Sequence, residues 1–266
     1  MKSRNILSRL FFTHRGESPV PSWKIGLNAV VVAILLLSIF YFGFSSLSYN
    51  FQWANVWKYR QNLAQGFLMT IVISLASLLI STLLGLFFGL SQRSSFLPLR
   101  FFSRVYIEGI RGTPLLVQIL IFFYVMANAA GLNNRYVSGI LIMSIFAGAY
   151  IAEIIRSGVE SVGNTQRETA RSIGLTRGQT YRYIIFPQVI TRVLPPLAGQ
   201  FASLIKDSSL LSIIAIKEFT LAAREINANT FSTLESYIPL AVGYLILTIP
   251  ISFLTKKLER RFFYET

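Results

Sequence analysis

Residues 66–92 read GFLMTIVISLASLLISTLLGLFFGLSQ, a stretch without a charged side chain. About 20 consecutive apolar residues, folded as an α-helix, cross the hydrocarbon core of a bilayer. This stretch is long enough to do so, and it is flanked by Arg60 on one side and Arg93 on the other. The segment therefore predicts a membrane-spanning helix.

Five other segments have the same character, and together they set the predicted fold class. The chain has 266 residues, of which 53% are hydrophobic and 14% are charged. An ordinary soluble domain carries about a quarter charged residues. The additional predicted spans are 25–47, 112–134, 136–152, 193–216 and 236–255. The sequence thus predicts an all-α, polytopic membrane protein with about six transmembrane helices.

The distribution of basic residues indicates how these spans are oriented. Cytoplasmic loops of membrane proteins carry an excess of lysine and arginine. If the N-terminus is cytoplasmic, most basic residues fall in the inner segments, among them Arg93, Arg100 and Arg104. This asymmetry predicts that both termini are cytoplasmic. We interpret the net charge of +14 as a topology signal, and not as a nucleic-acid-binding surface.

The first apolar segment follows a basic stretch, as the apolar part of a secretory signal would. It is longer than the usual 7–15 residues of a signal, and no A-x-A cleavage site follows it. We therefore predict an uncleaved span.

Residues that the sequence lacks exclude several kinds of chemistry. There is no cysteine, so disulfides and thiolate chemistry are excluded. The single histidine, His14, does not predict a zinc site, because zinc needs three or four ligands. The pattern G-x-x-x-x-G-K-[ST], which binds nucleotide phosphates, is absent. We expect no catalytic residue, no metal site and no cofactor in this chain.

The longest predicted inner loop connects the fourth and fifth spans, and we expect it to form two short helices. Asn164 or Thr165 is the predicted cap of the first helix. Gly174 is expected just after its end, where glycine readily takes a left-handed conformation. Thr176 and Gln179 predict a capping box for the second helix. The pair is either a hairpin on the membrane surface or a docking element for a partner.

The same loop carries a spaced motif. Its residues are Glu168-Thr169-Ala170, Gly174, Ile184 and Phe186-Pro187. The motif resembles the EAA…G…I-x-L-P pattern of the membrane permeases of bacterial ABC importers, with Thr169 replacing the first Ala and Phe186 replacing the Leu. Further stretches are similar to the permeases for polar amino acids of the histidine/glutamine type, namely 108–118 (EGIRGTPLLVQ), 148–158 (GAYIAEIIRSG), 206–212 (KDSSLLS) and 258–262 (LERRF). The resemblance covers the chain from about Gln65 onward.

The resemblance implies a five-helix importer core preceded by one additional helix. The implied divisions are a flexible cytoplasmic segment (1–24), a first helix with its outer loop (25–65), the importer transmembrane domain (66–258) and a cytoplasmic tail (259–266). It also implies a translocation subunit of the bacterial inner membrane that is not itself an enzyme. Such a subunit moves a polar amino acid by alternating access.

The resemblance further implies partners and coupling residues. The partners would be cytoplasmic ABC ATPase subunits, which bind ATP and magnesium, an identical or similar permease, an extracytoplasmic amino-acid-binding protein and membrane lipid. The cytoplasmic loop would couple ATP hydrolysis in the ATPase to movement of the spans. Its implied coupling residues are Glu168, Ala170, Gly174, Ile184 and Pro187.

A candidate substrate pathway lies in the predicted fifth span, where we expect Lys206 and Asp207 near the centre. Ionisable groups in a membrane are costly and usually face a cavity or a partner. Helical spacing places Gln200, Ser203 and Asp207 on one face, with Ser208 beside them. A structural Lys–acid pair is the alternative interpretation.

Two further features of the predicted spans bear on the pathway. Pro195 and Pro196 are expected to kink or break the start of the fifth span. Gln118, about two turns beyond Arg111 in the third span, is a further candidate substrate contact.

The residues alone leave two other functions open, one of which is a membrane scaffold without a transport role that would tolerate neutral replacements at Asp207 and Gln118. An ion-gradient-driven secondary transporter or channel could use Lys206 and Asp207 as a relay. That alternative leaves the spacing of the loop motif unexplained.

Overall fold

The computed structural model describes residues 20–45 and 49–263. Within these ranges every regular element is helical, which confirms the predicted all-α class. The chain divides into two compact units, one ending at Phe51 and the other beginning at Gln52. Part of the predicted flexible segment, 1–19, and the end of the predicted tail, 264–266, lie outside the described residues.

Among the described residues of the first unit, one helix is present, α1 (Ser22–Ser45). Its apolar length is sufficient to cross a membrane, and it overlaps the first predicted span. Most of its side chains, including Leu37 and Phe40, are exposed. Exposed apolar side chains all along a helix are typical of one that is surrounded by lipid.

The second unit holds the remaining helices. They are α2 (Trp53–Trp57), α3 (Arg60–Ser91), α4 (Leu97–Arg111), α5 (Leu115–Ile121), α6 (Arg135–Glu160), α7 (Asn164–Ser172), α8 (Arg177–Thr180), α9 (Phe186–Asp207), α10 (Phe219–Thr230) and α11 (Thr233–Phe263). Helix α5 continues as a π-helical segment (Phe122–Ala127), α8 continues as another (Tyr181–Ile185), and α9 continues as a 3₁₀ segment (Ser208–Ile214).

Four of the described helices, α1, α3, α6 and α11, are long and apolar enough to span a membrane by themselves. A fifth span is possible if α4 and α5, with its π-helical continuation, count as one broken span. Helix α9 occupies the position of the predicted fifth span but carries Arg192, Lys206 and Asp207. The polytopic fold is therefore confirmed, although its helices differ from the predicted segments in several places.

The helical part of the predicted third span, 112–134, begins only at Leu115, and the helix before it, α4, was not predicted. Helices α4 and α5 meet at an angle of 109° across the break at Gly112, Thr113 and Pro114. Proline has no backbone N–H and disfavours helical geometry in the residue before it, so a new helix begins after Pro114. Helix α4 has no uncharged apolar run, because Arg100, Arg104 and other charges interrupt it.

Helices α3 and α6 pack closely along a stripe of small residues on α3. The buried members of this stripe are Ser74, Ser77, Ser81, Gly85 and Gly89. A methyl group added to Gly85 would overlap Ile151 of α6, and one added to Gly89 would lie 2.8 Å from the Ala152 carbonyl oxygen. Small residues allow helix backbones in membranes to approach this closely. The α3–α6 pair is the centre of the second unit.

Helix α9 differs from two of the expected features. Helix α9 runs without interruption through Pro195 and Pro196, so the prolines do not break it. In membrane proteins, neighbouring groups can satisfy the carbonyls that a proline leaves free. Asp207 is the last residue of α9, where the 3₁₀ segment begins, so Lys206 and Asp207 lie at its end and not at its centre.

Candidate functional site

Helix α7, in the loop between α6 and α9, ends in a Schellman motif. Gly174 has a φ of +82°, which confirms its predicted left-handed conformation. The Gly174 N–H donates to the Arg171 carbonyl at 3.0 Å, and the Leu175 N–H donates to the Ala170 carbonyl at 3.0 Å. Both hydrogen bonds are those that define this motif, and they satisfy carbonyls left open at the helix end.

Helix α8 begins with the predicted capping box. The Thr176 hydroxyl accepts a hydrogen bond from the Gln179 N–H at 3.3 Å, and the Gln179 side-chain oxygen accepts one from the Thr176 N–H at 2.9 Å. The predicted cap of α7 is wrong, because Gly163 occupies the N-cap position and no side chain caps the helix. The loop therefore has a well-defined turn between its two helices.

The five predicted coupling residues lie in different environments of this loop. Ala170 is fully buried against its neighbours, whereas Glu168 is exposed. Ile184 is half-buried in the π-helical segment after α8, and Pro187 lies in the first turn of α9. Their environments give Ala170 a packing role and leave Glu168 accessible.

Three apolar residues of the loop, Ala170, Ile173 and Leu175, do not form one face. Ala170 is buried, Leu175 is half-buried and Ile173 is 69% exposed. The Schellman turn at Gly174 separates these residues because it reverses the chain between them. The exposed apolar surface of the loop consists instead of Ile173 together with Tyr181, Tyr183 and Phe186.

The end of α9 gathers most of the predicted pathway residues. Gln200, Ser203 and Asp207 are all half-buried, consistent with their position on one face of the helix. Ser208 is fully buried, and its hydroxyl donates to the Ile205 carbonyl at 2.8 Å. Lys206 is exposed and forms no ion pair with a described acidic residue.

Gln118 has a structural position that the sequence did not reveal. Its side-chain amide is buried and donates to the Ile110 carbonyl at 2.7 Å, the Thr113 carbonyl at 3.1 Å and the Thr113 hydroxyl at 2.7 Å. These acceptors belong to the end of α4 and the break that follows it. Gln118 therefore holds the bend between α4 and α5, and its donor group is used within the protein.

Comparison with known proteins decides the family. Residues 81–264 match a protein family described as "Binding-protein-dependent transport system inner membrane component". The chain belongs to this family. The match includes the loop motif and the stretches that resemble amino-acid permeases. It confirms the predicted resemblance and a transport subunit that crosses the inner membrane several times.

Similar members of the inner membrane component family are known from several bacteria. The glutamine transport system permease protein GlnP of Escherichia coli K12 is 36% identical over 214 residues, which are 80% of this chain and 98% of GlnP. The L-cystine transport system permease protein TcyB of Bacillus subtilis 168 is 38% identical over 200 residues, covering 75% of this chain and 86% of TcyB.

Solved structures share the fold of this inner membrane component. A chain of an amino acid ABC transporter crystallised with histidines has a TM-score of 0.74 and 36% identity, covering 80% of this chain and 100% of that chain. A chain of the MetNI methionine ABC transporter has a TM-score of 0.62 at 15% identity, covering 76% of this chain and 96% of that chain. The second likeness shows the fold alone.

An ion-pair network joins the ends of α4 and α6 in this inner membrane component. Arg156 donates two hydrogen bonds to the Glu153 carboxylate, at 2.6 and 3.0 Å. Arg156 also contacts Glu160, and Arg111 lies 3.7 Å from Glu153. Glu153 therefore connects a residue of α4 to its own helix, and this contact between distant residues was not predicted.

A buried carboxylate at the start of α10 was also missed. Glu218 is the N-cap of α10 and accepts hydrogen bonds from the backbone N–H groups of Thr220 and Leu221, at 2.9 and 2.8 Å. The Tyr244 hydroxyl donates to the same carboxylate at 3.1 Å. Burial raises the pKa of Glu218, although these hydrogen bonds partly offset the effect. Glutamate is an unusual cap, so its residue type did not indicate a helix start at this position.

Proposed function

We propose that this inner membrane component is the permease subunit of an ATP-driven importer for a polar amino acid. The observation that carries the proposal is the identity of 36–38% with the glutamine and cystine permeases, over three quarters or more of this chain. The loop between α6 and α9 supports it, because its motif and its Schellman turn suit a rigid docking element.

The proposed partners follow from this function. A separate cytoplasmic ATPase binds ATP and Mg²⁺, an identical or similar permease completes the membrane pathway, and an extracytoplasmic binding protein delivers the amino acid. Both termini of this chain are then cytoplasmic, in agreement with the excess of basic residues in the inner segments. We further propose that 66–258 form the importer transmembrane domain, with 25–65 as a preceding helix and loop.

The coupling residues have separable roles in this proposal. Gly174 sets the turn, because its φ of +82° is costly for any residue with a Cβ. Ala170 permits close packing, because its side chain is fully buried. Glu168, Ile184 and Pro187 complete the motif, and the exposed Ile173 offers apolar contact area to the ATPase. Closure of the ATPase subunits would move this loop, and the connected helices α6 and α9 would follow.

The substrate pathway is proposed to follow the half-buried face of α9 formed by Gln200, Ser203 and Asp207. Ser208 lies beside this face, although its hydroxyl is already bonded to Ile205. Gln118 is a weaker candidate, because its amide donors are used within the protein. Only its side-chain oxygen could contact a substrate.

Asp207 provides the test of this pathway. Asp207→Asn removes the negative charge at the end of α9 with little change in volume, and we expect a change of about tenfold in the apparent affinity for the amino acid. The measurement is uptake against concentration, with Lys206→Gln as the control because Lys206 is exposed. An unchanged uptake curve for Asp207→Asn would show that Asp207 does not contact the substrate and that its role is structural.

The energy source tests the function as a whole. The complex is purified from its host, reconstituted into vesicles and supplied either with ATP on the side of the ATPase or with an ion gradient alone. We expect accumulation of a polar amino acid only with ATP. Accumulation driven by the gradient without ATP would favour the ion-driven transporter, which no other observation supports.

A further inference from the structure

A cleft opens at the end of the second unit from which the loop between α6 and α9 emerges. It has a volume of about 560 Å³ and lies between the end of α3, one face of α4 and the last turns of α6. Helix α6 leads directly into α7, so the cleft and the loop lie at the same end of the helices. In the orientation proposed above, this end is cytoplasmic.

The cleft carries an excess of positive charge that the protein does not neutralise. Arginines outnumber glutamates among its lining residues. Arg156 and Arg111 are engaged with acidic residues of α6, as described above. Within the described ranges, no carboxylate oxygen lies within 4 Å of the other lining arginines, which are Arg93, Arg100 and Arg104. Three guanidinium groups are therefore available to an anion.

Two nitrogen atoms in the cleft lining are buried without a hydrogen-bond partner in the described part of the chain. They are Nε of Arg100 and Nε2 of Gln92. A buried donor without an acceptor costs about 1–3 kcal/mol. A ligand with several acceptor oxygens would supply the missing bonds, and a phosphate group has such oxygens around one centre.

Helix α4 places Arg100 and Arg104 beside an exposed apolar surface. One strip of the helix, with Ser103 and Ile107, is buried against the other helices. A second strip carries Arg100 and Arg104 into the cleft. A third strip, beside the arginines, exposes large apolar side chains, namely Phe101, Phe102 and Val105. A helix with a basic strip next to an exposed apolar strip is typical of the membrane interface.

We propose that this cleft binds the phosphate group of an anionic phospholipid of the inner leaflet. Arg93, Arg100 and Arg104 contact the phosphate, Gln92 donates a further hydrogen bond, and the acyl chains lie along Phe101, Phe102 and Val105. Basic pockets between helices on the cytoplasmic side of membrane proteins bind lipid headgroups by the same combination of forces. The apolar strip favours a lipid over free phosphate, because free phosphate has no acyl chain to cover it.

The test measures lipid binding by the purified full-length chain. Native mass spectrometry in mild detergent compares dioleoylphosphatidylglycerol, which is anionic, with dioleoylphosphatidylcholine, which has no net charge. We expect preferential binding of phosphatidylglycerol. The triple variant Arg93→Gln, Arg100→Gln, Arg104→Gln should lose about tenfold or more of that affinity, because each basic residue near an anionic lipid contributes substantially.

A matched variant distinguishes lipid binding in the cleft from unspecific attraction between basic residues and anionic lipid. Lys256→Gln, Lys257→Gln, Arg260→Gln removes the same charge from the exposed last turns of α11. We expect its affinity for phosphatidylglycerol to stay within about twofold of the unchanged chain. Equal losses in the two triple variants would overturn the proposal, since the binding would then be unspecific.

A variant that is expected to bind phosphatidylglycerol more tightly serves as a control, because misfolding would not increase binding. Glu108 lines the cleft and has no described basic partner within 4 Å. Glu108→Gln removes a repulsive charge and should tighten phosphatidylglycerol binding about fivefold. Unchanged or weaker binding by this variant, or unchanged binding by the arginine variant, would contradict the proposal.

A competition experiment decides between a lipid and free phosphate. Inorganic phosphate at about 10 mM, at constant ionic strength, should leave bound phosphatidylglycerol in place, because the acyl chains contribute most of the apolar burial. Complete displacement by inorganic phosphate would overturn the lipid assignment in favour of a soluble phosphate compound. These readouts need neither transport nor the ATPase, so their outcome is independent of the proposed importer function.

Discussion

The turn between α7 and α8 and the bend between α4 and α5 both interrupt the helical structure, but different interactions hold them. In the turn, every bond that defines the geometry joins residues close in sequence, such as Gly174 to Arg171 and Thr176 to Gln179. In the bend, Gln118 reaches back to the Ile110 carbonyl in the preceding helix. The turn is therefore set locally, whereas the bend depends on a buried side chain that joins two helices.

The difference implies different consequences of mutation. A substitution in the turn should change coupling and leave the helices of the membrane intact, because few contacts outside the loop depend on it. A substitution at Gln118 should lower the stability of the whole second unit, because the Ile110 carbonyl at the bend would lose its donor. The following predictions test this contrast.

The largest effect is expected for Gly174→Pro. Proline fixes φ near −65°, which is incompatible with the φ of +82° observed at this position, and it removes the N–H that bonds to Arg171. We expect ATP-driven uptake to be abolished while insertion into the membrane is retained. ATP-driven uptake is measured with vesicles that contain the complex. Insertion is measured as the amount of protein in the membrane fraction.

Gly163→Pro is the matched control in the same loop. Gly163 has a φ of −56°, which proline can adopt, and a Cβ added there would have no atom within 4 Å outside its own chain neighbours. We expect uptake close to that of the unchanged complex. Normal uptake by the Gly174→Pro variant, or an equal loss in both variants, would show that the conformation at Gly174 is not what matters.

Gln118→Leu is expected to have a large effect of another kind. It removes the three hydrogen bonds that hold the bend and leaves the carbonyls of Ile110 and Thr113 without this donor. We expect a loss of about 2–4 kcal/mol in stability, measured as a lower unfolding temperature in detergent.

Gln118→Glu tests whether Gln118 holds the bend between α4 and α5 or contacts the substrate. It keeps an acceptor oxygen at the same place but loses the amide donor, so it should be destabilised like Gln118→Leu. Unchanged stability in both variants, together with altered substrate affinity, would mean that Gln118 belongs to the pathway and not to the bend.

Thr176→Ala should have the smallest effect. It removes the hydroxyl that caps α8, and loss of an N-cap costs roughly 1 kcal/mol. Backbone amide exchange in α8 should therefore be about five times faster, while exchange in α3 and α6 stays the same. Thr176→Ser keeps the hydroxyl and should restore slow exchange. Faster exchange throughout the second unit would contradict the local character of the turn.

Sequence reasoning succeeded where the physical signal is local. A long uncharged run is enough to predict α3, and a glycine followed by a threonine with a glutamine three residues later predicts the turn at Gly174 and Thr176. The cap of α7 was the exception, because Gly163 provides it through backbone geometry, whereas the prediction considered only polar side chains.

Sequence reasoning failed where the decisive contact is made by residues distant in the chain. The amphipathic helix α4 was missed because its charged strip faces a cleft and its apolar strip is interrupted along the sequence. Gln118 was taken for a substrate contact because a polar residue in an apolar segment suggests a pathway. Only the fold shows that the end of α4 comes within hydrogen-bond distance of its side chain.

The most direct test of the coupling role is purification of the tagged chain from its host in mild detergent, followed by mass spectrometry of the proteins that accompany it. The account predicts a P-loop ATPase in near-equal amount, retained by the Gly163→Pro variant and lost by the Gly174→Pro variant. Purification of the chain without any ATPase, or equal retention by both variants, would contradict it.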